Sequence, residues 1–332
     1  MLSRATFLLL LPAAAIAASA ATPARPEPIR GRVDFIRTVS SVNDYSKPKS
    51  IWNKLLDFVA GPGDKGPQLI RPYAVTNDSL GRILVADPGQ RVVHIFDVEK
   101  RKYSYIKGRR KEEFLSPIGI AIDQADNIYV SDSIRARIYV FDKTGKSLRA
   151  IGAPGFFQRP TGLAFDAASK RLFITDTLRH QVIVVNADGS YSAEFGRRGV
   201  GPGEFNFPVS LTLSGGTLYV VDSMNFRIQA LTPDGRFLSA FGKLGNTSGT
   251  FNRPKGIAAD SDGHLYVVDA LFETVQVFNR EGQLLHFFGA TGSAPGDFFL
   301  PAGIYIDPRN RIFVADSFNH RVQIFRYRRE GQ

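Results

Sequence analysis

The chain has 332 residues, 43% of them hydrophobic, and no cysteine, so it can bury a sizeable core but cannot be held together by disulfides. Its formal net charge of +11 favours acidic partners such as polyanions, acidic protein surfaces or a membrane surface. Beyond the N-terminus no apolar run reaches membrane-spanning length, and we expect no internal transmembrane helix.

The N-terminal residues have the pattern of an export signal. Arg4 precedes an apolar stretch from Phe7 to Ala18, and Ala18-Ser19-Ala20 fits a small-residue cleavage site. The sequence predicts a signal peptide over residues 1–20, cleaved near Ala20, and a secreted or periplasmic protein. An uncleaved N-terminal anchor is the alternative. Residues 21–49 are expected to be a leader or linker, and residues 50–332 the folded domain.

One phrase recurs along the rest of the chain. Each copy starts at a proline, runs through an apolar segment and a polar turn, and ends with a second apolar segment followed by an aspartate, as in "PIGIAIDQADNIYVSDS". The copies are spaced 43 to 48 residues apart, which indicates a repeat architecture. They begin at Pro72, Pro117, Pro160, Pro208, Pro254 and Pro301.

Each repeat is predicted to form four short strands. In the second repeat these are Ile118–Asp123, the "IYV" segment, Ile138–Asp142 and Leu148–Gly152. Turns such as "KTG", "ADG" and "PDG" join the third strand to the fourth. Four antiparallel strands every 40 to 50 residues are typical of a propeller blade. We therefore predict an all-β fold, a six-bladed β-propeller of four-stranded antiparallel blades.

The last repeat stops after its third strand, at "VQIFRYRREGQ". Residues 55–72 align without a gap to residues 284–301, which contain the fourth strand of the fifth repeat. We expect this N-terminal segment to supply the outer strand of the last blade, which closes the ring and leaves no unpaired sheet edge at the seam.

A hydrophobic residue stands three positions before each blade proline. We interpret this set as plugs between neighbouring blades, since a cofactor contact repeated in every blade is a poor explanation. The set is Leu69, Phe114, Phe157, Phe205, Phe251 and Phe298.

The phrase "DSFNHRVQIF", together with "GATGSAPGDFFLP", resembles the NHL repeat, and the resemblance covers roughly residues 50–332. The matching glycines after the blade prolines are Gly119, Gly162, Gly256 and Gly303; the first and fourth repeats have Ala74 and Ser210 there instead. This resemblance implies the propeller fold and a secreted bacterial-type repeat protein. It leaves function open, because NHL propellers include RNA binders, protein-binding modules, sensor domains and a few enzymes.

An aspartate after the second strand and an arginine five residues later are predicted to form structural turn pairs. The pairs are Asp132 with Arg137, Asp222 with Arg227, and Asp316 with Arg321. Asp176 and Asp269 lack this arginine and are the better functional candidates among the aspartates.

Enzyme activity is the alternative to binding. Peptide-amidating lyase propellers resemble this fold and bind zinc through histidines, some of which follow blade prolines. The corresponding residues here, none of them histidine, are Tyr73, Ile118, Thr161, Val209, Lys255 and Ala302. His180 and His320 belong to opposite repeats and would share a metal only at the central mouth. We predict no cofactor, no metal and no catalytic residue, and we keep a metal-dependent, lactonase-like lyase or hydrolase as the alternative.

Charge differs between the two faces of the predicted ring. The loops after strands two and four, including "KGRRKEE", "FGRRGVG" and "FGKLGN", form what we call the basic face. The opposite face carries "DQADN", "DSDGH" and "NADG". We predict a monomeric, non-enzymatic binding or scaffold propeller that recognises an acidic protein or polysaccharide. RNA binding by the same face is a second alternative, disfavoured if the protein is exported. The predicted partner-binding residues are Arg109, Arg110, Arg135, Arg179, Arg197, Arg198, Phe226, Phe272, Phe318 and His320.

Overall fold

A computed structural model describes residues 31–41 and 68–329. Within these ranges 24 strands form six four-stranded antiparallel sheets, and two further short strands form a hairpin. The predicted six-bladed β-propeller is confirmed. No helix in these ranges is long and apolar enough to cross a membrane.

The blades follow one another along the chain, and their strands are numbered in chain order. Blade one contains β2 (Ala74–Asn77), β3 (Ile83–Asp87), β4 (Val92–Asp97) and β5 (Lys102–Ile106). The hairpin β6 (Gly108–Arg109) and β7 (Glu112–Glu113) leads to blade two, which contains β8 (Pro117–Ile122), β9 (Ile128–Asp132), β10 (Arg137–Phe141) and β11 (Ser147–Ile151). Blade three contains β12 (Pro160–Asp166), β13 (Arg171–Asp176), β14 (Gln181–Asn186) and β15 (Tyr191–Phe195).

The remaining strands complete the ring. Blade four contains β16 (Pro208–Ser214), β17 (Thr217–Asp222), β18 (Arg227–Leu231) and β19 (Phe237–Phe241). Blade five contains β20 (Pro254–Ala259), β21 (Leu265–Asp269), β22 (Thr274–Phe278) and β23 (Leu284–Phe288). Blade six contains β24 (Ile304–Ile306), β25 (Arg311–Asp316), β26 (Arg321–Arg329) and the N-terminal β1 (Gly31–Val39).

The middle strands of each blade are buried on both faces because every sheet is packed between two others. All five residues of β9, "IYVSD", are buried, whereas the outer strand β11 is mostly half-buried or exposed. This explains why the second strand of each repeat reads as a continuous apolar run and the fourth as a mixed one.

The predicted plugs are confirmed. All six lie buried in hydrophobic clusters that each join two adjacent blades. Phe298, for example, lies in one cluster with Tyr266 and Val275 of blade five and with Ile304 and Phe325 of blade six. The core of the protein is therefore a ring of six inter-blade layers.

An N-terminal strand closes the ring, as expected, but it comes from a different segment. β1 pairs antiparallel with β26, with Phe35 opposite Phe325 and Val39 opposite Val322. The prediction that residues 55–72 supply this strand is wrong in its position, because the edge of β26 is taken by residues 31–39, which were assigned to the leader. Residues 42–67, like the predicted signal peptide 1–20, lie outside the described residues.

Candidate functional site

Six aspartates, one at the end of each second strand, are fully buried. In four blades the carboxylate accepts the N–H groups of the two residues that precede the blade proline. Asp176 accepts from Gln158 at 2.7 Å and from Arg159 at 2.9 Å, and Asp269 accepts from Asn252 and Arg253 at the same distances. The expectation that these two aspartates are functional candidates is wrong, because both are buried and hold backbone amides.

Blades four and six use a different turn. Asp222 pairs with Arg227 at 2.8 Å and Asp316 with Arg321 at 2.7 Å, which confirms two predicted turn pairs. Gln323 extends the second pair, because its Nε2 donates to Asp316 at 3.1 Å and to the Asp297 carbonyl at 2.6 Å. These pairs join the second strand to the loop that precedes the blade proline.

The third predicted pair, in blade two, is wrong. Arg137 lies opposite Asp132 in the strand register, but its guanidinium contacts Glu112 at 3.3 Å. Asp132 instead accepts backbone amides, including those of Leu115 and Ser116 at 2.7 and 3.1 Å. The hairpin β6–β7 supplies the competing carboxylate, and a local spacing rule cannot anticipate it.

The residue before the blade proline changes conformation between the two kinds of turn. Phe207 and Leu300, in blades four and six, have φ values of 52° and 46°. Their N–H groups donate across the blade interface, to Nδ1 of His180 at 3.1 Å and to Oε1 of Glu273 at 3.3 Å. Burial lowers the pKa of the His180 imidazole, and Arg198 acts in the same direction. A neutral His180 therefore accepts this bond and links blades three and four.

His320 occupies the position equivalent to His180. Its φ is 54°, and the equivalent residues of the other five blades also have a positive φ, between 54° and 57°. The repeat therefore accounts for its backbone conformation. The imidazole Nδ1 contacts the Ile70 carbonyl across the seam between blades six and one. The structure thus gives His320 an inter-blade contact, and its role in partner binding stays a prediction.

The basic face surrounds one mouth of the central channel, where a cavity of about 710 Å³ opens. The residue immediately before each blade proline lines this cavity. The six are Arg71, Ser116, Arg159, Phe207, Arg253 and Leu300. Lys255 adds a fourth cation, and none of the described residues that line the cavity is an aspartate or a glutamate. We call this cavity the channel mouth.

The residues that follow the blade prolines form a throat below the channel mouth. Tyr73 and Lys255 line both the channel mouth and a second cavity of about 520 Å³ that continues through the ring. The Lys255 ammonium lies 5.1 Å from the centre of the Tyr73 ring, a cation–π contact between blades five and one. None of the six residues that follow the blade prolines is a histidine: besides this pair they are Ile118, Thr161, Val209 and Ala302.

The far end of the channel is acidic. Asp78, Asp123 and Asp126 line the second cavity among the loops after strand one. Each is engaged by neighbours: Asp78 accepts from Arg82 at 2.6 Å, Asp123 from Asn127 at 2.8 Å, and Asp126 from Ser79 at 2.6 Å. These carboxylates hold their turns, and among the described residues they do not form a group of ligand atoms close enough to hold a metal ion.

One group of side chains on this opposite face has metal-ligand chemistry. Ligand atoms of Asp260, Asp262 and His264 lie within 4.8 Å of one another. Asp260, however, accepts the backbone N–H groups of Asp262 and His264, both at 2.9 Å. In blades one and six the position of His264 is taken by Arg82 and Arg311, which bond their own aspartates in the same way. The arrangement is a repeated turn that needs no metal.

The predicted arginines of the basic face divide into two groups. Four are held by neighbours: Arg109 by Glu112 at 3.9 Å, Arg135 by the Glu113 carbonyl at 2.6 Å, Arg179 by Glu194 at 3.2 Å, and Arg197 by Glu204 at 2.7 Å. Arg110 and Arg198 are exposed, with no ion pair in residues 31–41 and 68–329. These two are the predicted arginines most available to a partner.

The predicted phenylalanines are placed differently from one another. Phe318 lines the channel mouth, whereas Phe226 packs against the core between blades four and five. Phe272 is half-buried.

Sequence reasoning missed Arg71, Arg159, Arg253 and Lys255 as lining residues. The signal was present, since each flanks a blade proline at a fixed place in the repeat.

Comparison with known families agrees with this geometry. A family model described as a 6-bladed beta-propeller matches residues 164–238, and the NHL repeat model matches residues 251–278 and 300–325. The chain is a six-bladed β-propeller that contains NHL repeats.

Individual relatives are distant. Protein brain tumor of Drosophila melanogaster is 27% identical over 133 residues, which cover 39% of this chain and 13% of that protein's length. Among solved structures, a virginiamycin B lyase from Staphylococcus aureus matches with a TM-score of 0.60 at 13% identity, over 89% of this chain and 99% of that one. An auxiliary nutrient binding protein from Bacteroides thetaiotaomicron matches with a TM-score of 0.62 at 14% identity, over 78% of this chain and 69% of that one. At these identities the structural matches establish the fold alone.

Proposed function

We propose that this propeller is a non-enzymatic binding or scaffold protein that acts outside the cytoplasm and recognises an acidic protein or polysaccharide through its basic face. The observation that carries the proposal is the difference in charge between the two faces of the ring. The basic face exposes Arg110 and Arg198, and the described residues that line its channel mouth include four cations and no carboxylate, whereas three aspartates line the far end of the channel. An acidic partner is therefore attracted to the basic face. The location rests on the predicted signal peptide.

The loops of the basic face are held in place before any partner arrives. Buried glutamines on the third strands of three blades accept loop N–H groups: Gln229 from Gly203 at 3.0 Å, Gln276 from Gly249 at 2.7 Å, and Gln323 from Gly296 at 2.9 Å. A loop that is already ordered loses less conformational entropy on binding, which favours recognition by a rigid surface.

The two alternatives, an enzyme that acts in the channel and RNA binding by the basic face, are supported to different degrees. A lyase or hydrolase that acts in the channel has only a likeness of fold behind it, since the lyase match is 13% identical. The residues that follow the blade prolines include no histidine that could bind zinc, and Tyr73 and Lys255 form a cation–π contact in the throat. RNA would use the same cations as an acidic protein or polysaccharide. It is disfavoured by the predicted export signal and becomes an outcome of the binding test.

Charge reversal at the two available arginines tests the proposal. Arg110→Glu combined with Arg198→Glu is expected to weaken binding of heparin or poly-glutamate about fivefold to tenfold at low salt, and less at high salt, because the contacts are solvent-exposed. Arg197 is left intact because Glu204 already pairs with it. The measurement is calorimetric or fluorescence titration at two salt concentrations.

The matched control reverses two exposed lysines on the opposite face, Lys143→Glu with Lys170→Glu, and changes net charge by the same amount. Equal weakening by both double variants would show that only net charge matters. Unchanged binding in the Arg110 and Arg198 variant, or tighter binding of RNA than of either acidic probe, would contradict the proposal.

A further inference from the structure

We infer that the channel mouth is a separate binding site for a small organic anion that carries two or three carboxylate or phosphate groups. The starting observation is an alternation around the ring. The residue before the blade proline is arginine in blades one, three and five, as Arg71, Arg159 and Arg253, and it is Ser116, Phe207 or Leu300 in the blades between. Three arginines from alternate blades thus face one cavity on the ring axis.

The backbone of each arginine is fixed. The N–H of Arg71 donates to Asp87 at 3.1 Å, that of Arg159 to Asp176 at 2.9 Å, and that of Arg253 to Asp269 at 2.9 Å. All three aspartates are fully buried, and a buried proline follows each arginine. Proline restricts the backbone of the residue before it, so the three side chains start from rigid points.

The charges at the channel mouth are unopposed. Within residues 31–41 and 68–329 no carboxylate pairs with Arg71, Arg159 or Arg253, and no acidic residue lines the cavity. Lys255 adds a fourth positive charge at the floor, where it contacts Tyr73. Like charges around one cavity repel one another, and an anion with several charged groups relieves that repulsion at several points at once. Guanidinium groups bind carboxylate and phosphate oxygens with paired hydrogen bonds.

The size and lining of the channel mouth define the rest of the ligand. A volume of about 710 Å³ lies within the range of pockets for small molecules, roughly 300–1,000 Å³. Phe207, Leu300 and Phe318 stand between the cations. These apolar surfaces fit a ligand with a carbon skeleton better than a bare inorganic ion.

Titration calorimetry with two ligands that each carry three anionic groups tests the inference. Benzene-1,3,5-tricarboxylate probes the carboxylate form of the ligand and inositol 1,4,5-trisphosphate the phosphate form, with benzoate as the comparison that carries one anionic group. At least one of the two ligands with three anionic groups is expected to bind more tightly than benzoate. Arg159→Gln should weaken that binding about tenfold. Arg198→Gln, on the same face but outside the cavity, should leave it unchanged.

The second test uses a variant that is expected to bind the ligand more tightly. Ser116 occupies the equivalent place in blade two, and its N–H donates to Asp132 at 3.1 Å as the arginines do to their own aspartates. Ser116→Arg should therefore tighten the binding of the ligands with three anionic groups, whereas an arginine added outside the cavity should not. The inference is overturned if neither of these ligands binds at millimolar concentration, if benzoate binds with the same affinity, or if Arg159→Gln and Ser116→Arg both bind like the unaltered protein. Arg110 and Arg198 do not line this cavity, so a failure of this inference would not change the result expected when both are reversed in charge to test macromolecular binding.

Discussion

Phe298→Ala is expected to lower the free energy of unfolding by about 3–5 kcal/mol, the usual cost of removing a fully buried phenylalanine and leaving a cavity. Phe298 is fully buried between blades five and six, with its ring 5.8 Å from Phe325 and 6.3 Å from Phe288. A ring of blades has no alternative packing for this layer, because each blade is fixed by its other neighbour. Chemical denaturation monitored by circular dichroism measures the change.

The adjacent residue gives the matched control. Phe299 is 44% exposed, and Phe299→Ala should cost no more than about 1 kcal/mol, since much of its surface already meets water. If Phe298→Ala were as mild as Phe299→Ala, the plugs would not be what holds neighbouring blades together.

Asp222→Ala is expected to destabilise the fold by a similar amount, about 3–5 kcal/mol, because it leaves a partly buried guanidinium without its counter-charge. Asp222 is fully buried and bonds Arg227 at 2.8 Å and Gln229 at 3.0 Å. It also accepts the Asn206 N–H at 2.6 Å. The substitution therefore removes the group that joins the second strand, the third strand and the preceding loop of blade four. Thermal and denaturant unfolding of the variant measure the loss.

An exposed aspartate of the same blade serves as the comparison. Asp234 lies in the turn between β18 and β19 and contacts Thr232. Asp234→Ala should change the free energy of unfolding by no more than about 1 kcal/mol. Asp222→Ala with an equally small effect would mean that the buried aspartates are not needed to hold the turns.

Most of the fold could be predicted because its information is repeated. Six prolines at regular spacing fix the number of blades, and six hydrophobic residues three positions earlier mark the layers between them. The closing strand could not be placed in the same way. β1, "GRVDFIRTV", is the outer strand of its blade and pairs along one edge only. It therefore carries charged residues, and it lacks the regularly placed glycine and proline that identify a repeat. Residues 55–72 resemble the repeat more closely, so the pattern predicted that they, and not residues 31–39, form the closing strand.

The candidate site was only partly predictable, because the state of each arginine depends on residues far away in sequence. Arg179 pairs with Glu194 and Arg197 with Glu204, so two cations that look free in the sequence are engaged. Arg137 finds Glu112, 25 residues earlier, instead of the aspartate five residues before it. The basic character of a face follows from composition, but which of its charges face solvent is a tertiary property.

The arginines of the channel mouth show the opposite case. Arg71, Arg159 and Arg253 stand at one register position, next to the prolines that defined the repeat. Their convergence follows from ring geometry, since equivalent residues of every blade must lie at the same height around one axis. Reading each repeat position around the ring, and not only along the chain, would have identified them.

Hydrogen–deuterium exchange of the full protein, with and without a heparin oligosaccharide as the acidic probe, tests most directly whether recognition occurs on the basic face. Slower exchange is expected in residues 107–116, 152–159 and 196–207, with no change in the opposite-face turns 123–127 and 260–264. Protection confined to those opposite turns, or no protection anywhere at saturating probe, would contradict it.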